Sequence, residues 1–348
     1  MDSTRDRSWR TLSNWVLGWL IVIVILFYTS QAILADSRGP VRLVVYAFST
    51  QEEVLTQEIF PAFERTWEAE TGRDLSLEAV FGPSGTLAAH INLGAPADVV
   101  LLSNEQHLNW LKVGRRVRWE AEPVIFGHTP MVIVTRPGNP ANVAGFSDLG
   151  RPGLRLIHAD PGQSGAGDWA VLAEYGSVLL ETGSRDAAET QLRAIWDNVC
   201  LLAPSARAGM TLFELGAGEA LVTYEQDARL AQTRGVPLDI IVPERTIVAQ
   251  HVAAVVDTNT TQAERRAAQA FIDFLLSEAG QSALAHYYVR PVQPEASHFT
   301  ALPRPFTVID LGGWSQAYAT IVEQLWQQEI KPRLDLEPAG QLLSTNFS

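Results

Sequence analysis

From residue 41 onward, short apolar runs of strand length alternate with longer segments of helical spacing, and this alternation restricts the possible folds more than any other feature. Val41-Arg42-Leu43-Val44-Val45-Tyr46 reads as a buried strand, and Gln51 to Trp67 follows with Leu55, Ile59, Phe63 and Trp67 on one helical face. Pro61 inside that window predicts a kink, because it lacks an N–H and its ring crowds the preceding turn. Further strands are expected at Leu75 to Phe81, Ala97 to Leu102, Met131 to Val134, Leu154 to His158, Val199 to Leu202, Ala220 to Tyr224, Ile240 to Pro243 and Ala249 to Val256. Helices are expected at Ser84 to Leu93, Asp168 to Leu180, Met210 to Leu215 and Gln262 to Leu276. Such a succession gives an α/β fold with a mainly parallel sheet, whose ligands collect at the carboxyl ends of the strands, where helices begin.

The chain has 348 residues, 47% of them hydrophobic, enough for a large core in about two domains. Its net charge of −13 argues against nucleic acid or an anionic membrane surface as partner. A single cysteine, Cys200, excludes an internal disulfide, and without a Cys/His cluster a structural zinc site has no ligands. No cofactor is expected.

Residues 1–40 stand apart. Arg5, Arg7 and Arg10 precede an apolar run from Trp15 to Tyr28, continued through Ala32-Ile33-Leu34-Ala35. That order places the N-terminus in the cytoplasm and exports the remainder, with the segment acting either as a signal peptide cleaved near Ala35 or as a transmembrane anchor. The expected location is extracytoplasmic, in the periplasm or on the outer face of the membrane.

Several helix starts carry small or hydroxyl residues: Ser49-Thr50, Ser84-Gly85, Ser164-Gly165-Ala166 and Ala206. Each alone is an ordinary cap or turn, with Ser49 or Thr50 and Ser84 as N-caps. Together, converging starts present unpaired N–H groups and positive dipole ends to a small anion without a cationic side chain. The negative net charge does not oppose this, since surface charge is screened within ~10 Å whereas N–H groups act at contact.

Phe81-Gly82-Pro83-Ser84-Gly85, Gly94-Ala95-Pro96-Ala97-Asp98, Arg136-Pro137-Gly138-Asn139-Pro140, Asp160-Pro161-Gly162-Gln163-Ser164-Gly165, Ser205-Ala206-Arg207, Tyr288-Val289-Arg290-Pro291 and Leu311-Gly312-Gly313-Trp314 occur in this order between roughly Val41 and Glu323. They resemble the successive landmarks of the sulfate- and thiosulfate-binding proteins that serve ABC importers. The resemblance implies a type II periplasmic-binding-protein fold: lobe 1 from 41–125 plus 249–348, lobe 2 from 126–248, two hinge crossovers and an anion between the lobes. It also implies the contacts. Thr50, or Ser49, falls where a backbone N–H faces the anion; Ser84 offers hydroxyl and N–H, and Ser164 a hydroxyl. Gly165, Ala166 and Ala206 offer N–H groups, and Tyr224 stands in place of an indole donor. Arg207 lies behind the Ala206 loop, and the residue types suggest a pairing with a nearby acid such as Glu225. Ala166, Tyr224 and Pro83 depart from the family pattern and bear on which anion is held.

The implied protein is a monomeric receptor, not an enzyme, that hands sulfate or thiosulfate to a membrane permease. The chain has no G-x-x-x-x-G-K-[ST] loop, so the ATPase is a separate subunit. A molybdate or tungstate receptor, a sensor ectodomain, and a serine hydrolase built on Ser164, Asp227 and His251 are the alternatives.

Overall fold

The computed structural model describes residues 40–258, 260–292 and 299–336. The expectation of a leader or anchor in 1–40, and of a loosely ordered tail beyond Leu334, falls almost entirely outside them. Among the described residues no helix is long and apolar enough to cross a membrane.

The fold is a mixed α/β one. Among the described residues ten strands, β1 (Val41–Phe48), β2 (Leu75–Gly82), β3 (Val99–Leu102), β4 (Val124–Thr135), β5 (Leu156–Ala159), β6 (Val199–Ala203), β7 (Ala220–Tyr224), β8 (Asp239–Ile241), β9 (Arg245–Val255) and β10 (Arg304–Phe306), form a sheet whose main path runs β2-β1-β3-β9-β4-β7-β5-β6. β8 pairs with β4 and β10 with β9 off this path. Two parallel triplets, β2-β1-β3 and β6-β5-β7, flank a central antiparallel pair, β9 and β4. β4 has two sets of partners: Val124–Pro130 lies on β9, and Met131–Thr135 lies on β7 and β8.

Helices α1 (Phe60–Thr71), α2 (Ser84–Asn92), α3 (Glu105–Val113), α4 (Gly165–Thr182), α5 (Arg185–Trp196), α6 (Ala206–Glu214), α7 (Glu225–Thr233), α8 (Gln262–Leu276) and α9 (Glu278–His286) cover the sheet. β3, β5 and β7 are buried on both faces, which is why they read as continuous apolar runs, whereas β2 at the sheet edge alternates. Pro61 lies in the first turn of α1, just after a π-helical stretch, Leu55–Ile59. The wider turn shifts the hydrogen-bond ladder where the proline has no N–H to give, so the chain continues as helix through the expected break.

After β10 the chain packs on the β5–β7 side. Trp314 meets Trp169 of α4 edge to face, with ring centroids 4.6 Å apart, and Trp326 meets Trp196 of α5 at 5.1 Å. Lys331 lies 3.5 Å from Asp160, while Tyr318 reaches back to Trp110 of α3.

Candidate functional site

Six strand carboxyl ends converge on one small cavity. β1 brings Phe48, Ser49 and Thr50; β2 brings Gly82, Pro83 and Ser84; β3 brings Ser103; β5 leads to Ser164 and Ala166; β6 leads to Ser205 and Ala206; β7 ends in Tyr224. Its volume of ≈ 10 Å³ admits a single compact guest and no organic molecule. None of the lining residues carries a charge.

The lining therefore contains Ser49, Thr50, Ser84, Ser164, Ala166, Ala206 and Tyr224 among the residues singled out from sequence. Gly165 stands just behind it as the first residue of α4. A Cβ there would sit 1.8 Å from Ser103 Oγ, so glycine is what lets α4 approach the β3 loop. Ser84, Gly165 and Ala206 open α2, α4 and α6, and their N–H groups precede any intrahelical acceptor.

The hydroxyls divide into two sets. Ser164 and Ser205 cap their helices, accepting from the N–H of Ala166 at 3.3 Å and of Ala208 at 3.1 Å. Each still has its own O–H proton to give. Ser103 Oγ and the Tyr224 hydroxyl are buried and face each other, and neither has any other hydrogen-bond partner. Burial also pushes the Tyr224 phenol well above its usual pKa, so it stays protonated. If one donates to the other, one O–H proton still has no acceptor, and an unmet buried hydroxyl costs about 1–3 kcal/mol. Ser103 was not anticipated from sequence, although Ser103-Asn104 directly after a buried strand repeats the pattern of Ser205-Ala206.

Three expectations are corrected here. Neither Ser49 nor Thr50 caps a helix: no side chain caps the short turn Ser49–Gln51, and Thr50 Oγ donates instead to Asp227 Oδ2 at 3.0 Å. Ser84 is the first residue of α2 rather than its cap; its Oγ accepts the Ser103 N–H at 3.1 Å and lies 2.9 Å from His107 Nδ1. Arg207 pairs with Glu53, not Glu225, through both guanidinium nitrogens, and its Nε donates to Ser49 O at 3.0 Å. Glu225 is held by Arg290 at 2.8 Å. Arg207 thus fixes the β1 loop from across the cavity, because the fold faces the start of α6 toward the end of β1.

The hydrolase constellation is not assembled. Ser164 serves its cap, Asp227 accepts from Thr50, and His251 Nδ1 lies 3.3 Å from the Ser103 carbonyl.

Further bonds tie the β1–β3 loops to the β5–β7 loops. Gly85 N donates to Gln163 O at 3.0 Å, Trp169 Nε1 to Ser103 O at 2.8 Å, Asn104 Nδ2 to Asp168 Oδ2 at 2.9 Å, and Gln51 Nε2 to Gln226 Oε1 at 3.0 Å.

Residues 43–290 match the model of the bacterial extracellular solute-binding protein family. The sulfate-binding protein of Synechococcus elongatus is 30% identical over 299 residues, covering 82% of this chain and 85% of its own. The thiosulfate-binding protein of Pseudomonas aeruginosa is 29% identical, covering 69% of this chain and 75% of its own. Among solved structures, the sulfate-binding protein SubI of Mycobacterium tuberculosis superposes with a TM-score of 0.74 at 28% identity, over 80% of this chain and 98% of that one. The small cavity at the strand ends is uncharged and lined by hydroxyls and helix starts, and the chain belongs to the bacterial extracellular solute-binding protein family.

Proposed function

We propose that this chain is an exported receptor that closes two lobes around sulfate or thiosulfate and delivers the anion to an ABC permease driven by a separate ATPase. One observation carries the reading: a small, uncharged cavity where helix N-termini converge with two buried hydroxyls, Ser103 and Tyr224, that have no partner but each other. Such a lining offers protons and no charge, which suits an anion that brings no proton of its own. Charge-assisted hydrogen bonds contribute about 1.5–3 kcal/mol each, so a handful offsets the dehydration of a dianion and leaves roughly micromolar affinity. The named sulfate- and thiosulfate-binding relatives support the choice of anion.

In this reading the β2-β1-β3 triplet belongs to one lobe and the β6-β5-β7 triplet to the other. β4 and β9 are the crossovers, with the bend near Pro130-Met131 and its β9 counterpart, Val248. In the same reading the C-terminal segment, whose Trp314 and Trp326 pack on α4 and α5, moves mainly with the second lobe. Opening breaks the Gly85–Gln163, Trp169–Ser103 and Arg207–Ser49 bonds, and the bound anion supplies the energy that keeps them closed. The basic and apolar N-terminal segment exports the receptor.

The test is a thermal shift of the desalted full-length chain with sulfate, thiosulfate, molybdate, tungstate and phosphate at matched ionic strength. An anion at 100 times its Kd adds about 2.7 kcal/mol of stability. Stabilisation by sulfate or thiosulfate, and weakly or not at all by the others, is expected. A response only to molybdate and tungstate reassigns the ligand, and no response to any of them rejects the oxyanion reading. Ser164→Ala is expected to weaken sulfate binding several-fold, because it removes a free O–H donor together with the α4 cap. Calorimetry that finds unchanged affinity would remove Ser164 from the site.

A further inference from the structure

Behind Ser84 runs a buried chain of polar groups that the binding reading does not use. Ser84 Oγ lies 2.9 Å from His107 Nδ1, and His107 Nε2 lies 3.3 Å from Asp168 Oδ2. The side chains of His107 and Asp168 are fully buried. Asn104 Nδ2 donates to the same Asp168 oxygen at 2.9 Å, and the His107 ring packs on Trp110 with centroids 4.5 Å apart. An N–H on His107 Nε2 finds no acceptor in hydrogen-bond geometry, and Asp168 Oδ1 has no partner. Asp160, whose charge acts on Asp168, lies 3.5 Å from Lys331.

We propose that His107 carries its ring proton on Nδ1, with Asp168 protonated against Nε2, and that this tautomer makes Ser84 an obligatory donor and so decides which oxyanions the cavity accepts. A serine hydroxyl has two lone pairs and one proton. One lone pair takes the Ser103 N–H. With Nδ1–H aimed at Oγ, the second lone pair is taken too, and what remains for the cavity is the O–H alone. The opposite tautomer would draw the Ser84 proton to Nδ1 and turn a lone pair toward the guest. That arrangement repels sulfate and welcomes an anion carrying its own proton.

The ionisation states agree with the geometry. Burial holds the His107 imidazole down to about 3, so the ring is neutral with a single proton to place. Burial, reinforced by Asp160, raises the Asp168 carboxyl well above its ordinary value, so a proton is available for Nε2. His107 and Asp168 are therefore positioning residues. They act on the anion through Ser84, and the inference rests on the oxyanion reading of the cavity.

Two measurements test it. In the full-length chain labelled with ¹⁵N-histidine and saturated with sulfate, imidazole NMR is expected to show the His107 proton on Nδ1, the resonance being assigned by its loss in His107→Phe. A proton on Nε2 overturns the proposal. Calorimetry then compares sulfate with monohydrogen phosphate, at about pH 8 where phosphate is largely a dianion with one proton. His107→Phe frees a Ser84 lone pair, so the preference for sulfate is expected to narrow at least about tenfold while sulfate affinity changes less than about threefold. Parallel weakening of both anions, or an unchanged preference, means that His107 only packs, and overturns the proposal. If His107→Phe does not fold, the tautomer in the unaltered chain, assigned by ring–neighbour correlations, still decides. If the unaltered chain binds neither anion, the receptor reading fails, and the tautomer read without ligand reports separately on the relay.

Discussion

Trp169→Ala is expected to lower the unfolding free energy by about 3–5 kcal/mol and to cost sulfate affinity at the same time. Trp169 is fully buried in the first turns of α4, with its ring edge on Trp314. Truncation removes that packing and leaves a cavity that the surrounding helices fill only in part. It also removes the Nε1 donor from the Ser103 carbonyl. That carbonyl belongs to a residue that lines the candidate cavity, so the loop after β3 loses one of its two ties to α4 and keeps the Asn104–Asp168 bond. Trp169→Phe separates the two effects: it keeps much of the packing and gives up the hydrogen bond, at about 0.5–1.5 kcal/mol, since the Ser103 carbonyl still has His251 Nδ1 at 3.3 Å. Urea unfolding of both variants in anion-free buffer, with sulfate calorimetry beside it, reads the outcome. A loss below about 1 kcal/mol in Trp169→Ala would mean that the Trp169–Trp314 contact does not hold the C-terminal segment on α4.

The parts of the fold visible in the sequence are those where local pattern and tertiary burial agree. β7 at Ala220–Tyr224 and α8 at Gln262–Leu276 have the expected limits, because an uninterrupted apolar run and a Thr261–Glu264 capping box mark them locally. β4 was legible only from Met131 to Val134. Its first half contains Gly127, His128, Thr129 and Pro130, which break the apolar pattern, yet pairing with β9 carries the strand through them around a bulge between Ile125 and Gly127. For α6 the apolar spacing shows only from near Met210, while the helix begins at Ala206, the start that the small residue after Ser205 marks.

The site was legible at its helix starts and illegible in its long-range bonds. Ser164, Ala166, Ala206 and Tyr224 sit where strand ends predict a ligand to collect, and that follows from alternation of strand and helix alone. Thr50 looked like a cap because Glu52 and Glu53 follow it. Its hydroxyl instead crosses 177 residues of sequence to Asp227, a partner that no spacing rule reveals. Arg207 was matched to the wrong acid for the same reason: Glu225 is near in sequence, whereas Glu53 is near in space. His107 carried no sequence signal, because a lone histidine inside an amphipathic helix reads as a packed or surface residue until Ser84 and Asp168 are brought to it.

The pairing of Thr50 with Asp227 leads to the second large expectation: the advantage of Asp227→Asn over the unaltered chain is expected to grow by about 2 kcal/mol between about pH 4.5 and 7.5. Burial pushes the Asp227 carboxyl up from 3.8 to about 6, while Arg207 and the Thr50 hydroxyl pull it partly back. The folded-state value lies above the unfolded one, so between them the folded chain binds more protons than the unfolded chain. Stability from this group is therefore lost as pH rises: it costs nothing well below 3.8, and the full cost, about 3 kcal/mol, is reached above about 6. Asparagine keeps an oxygen for the Thr50 hydroxyl and has no charge to desolvate, so the variant lacks this slope. Comparing the two proteins at each pH cancels the other titrating groups common to both. Equal differences at the two pH values would mean that Asp227 ionises inside the fold at its ordinary value, with Arg207 compensating burial completely. The same carboxylate stands behind the Thr50 loop of the cavity, so a bound dianion adds like-charge repulsion and moves Asp227 further toward its protonated form. By linkage, sulfate binding then takes up protons near pH 6, an uptake that calorimetry in buffers of different ionisation enthalpy detects and that Asp227→Asn abolishes.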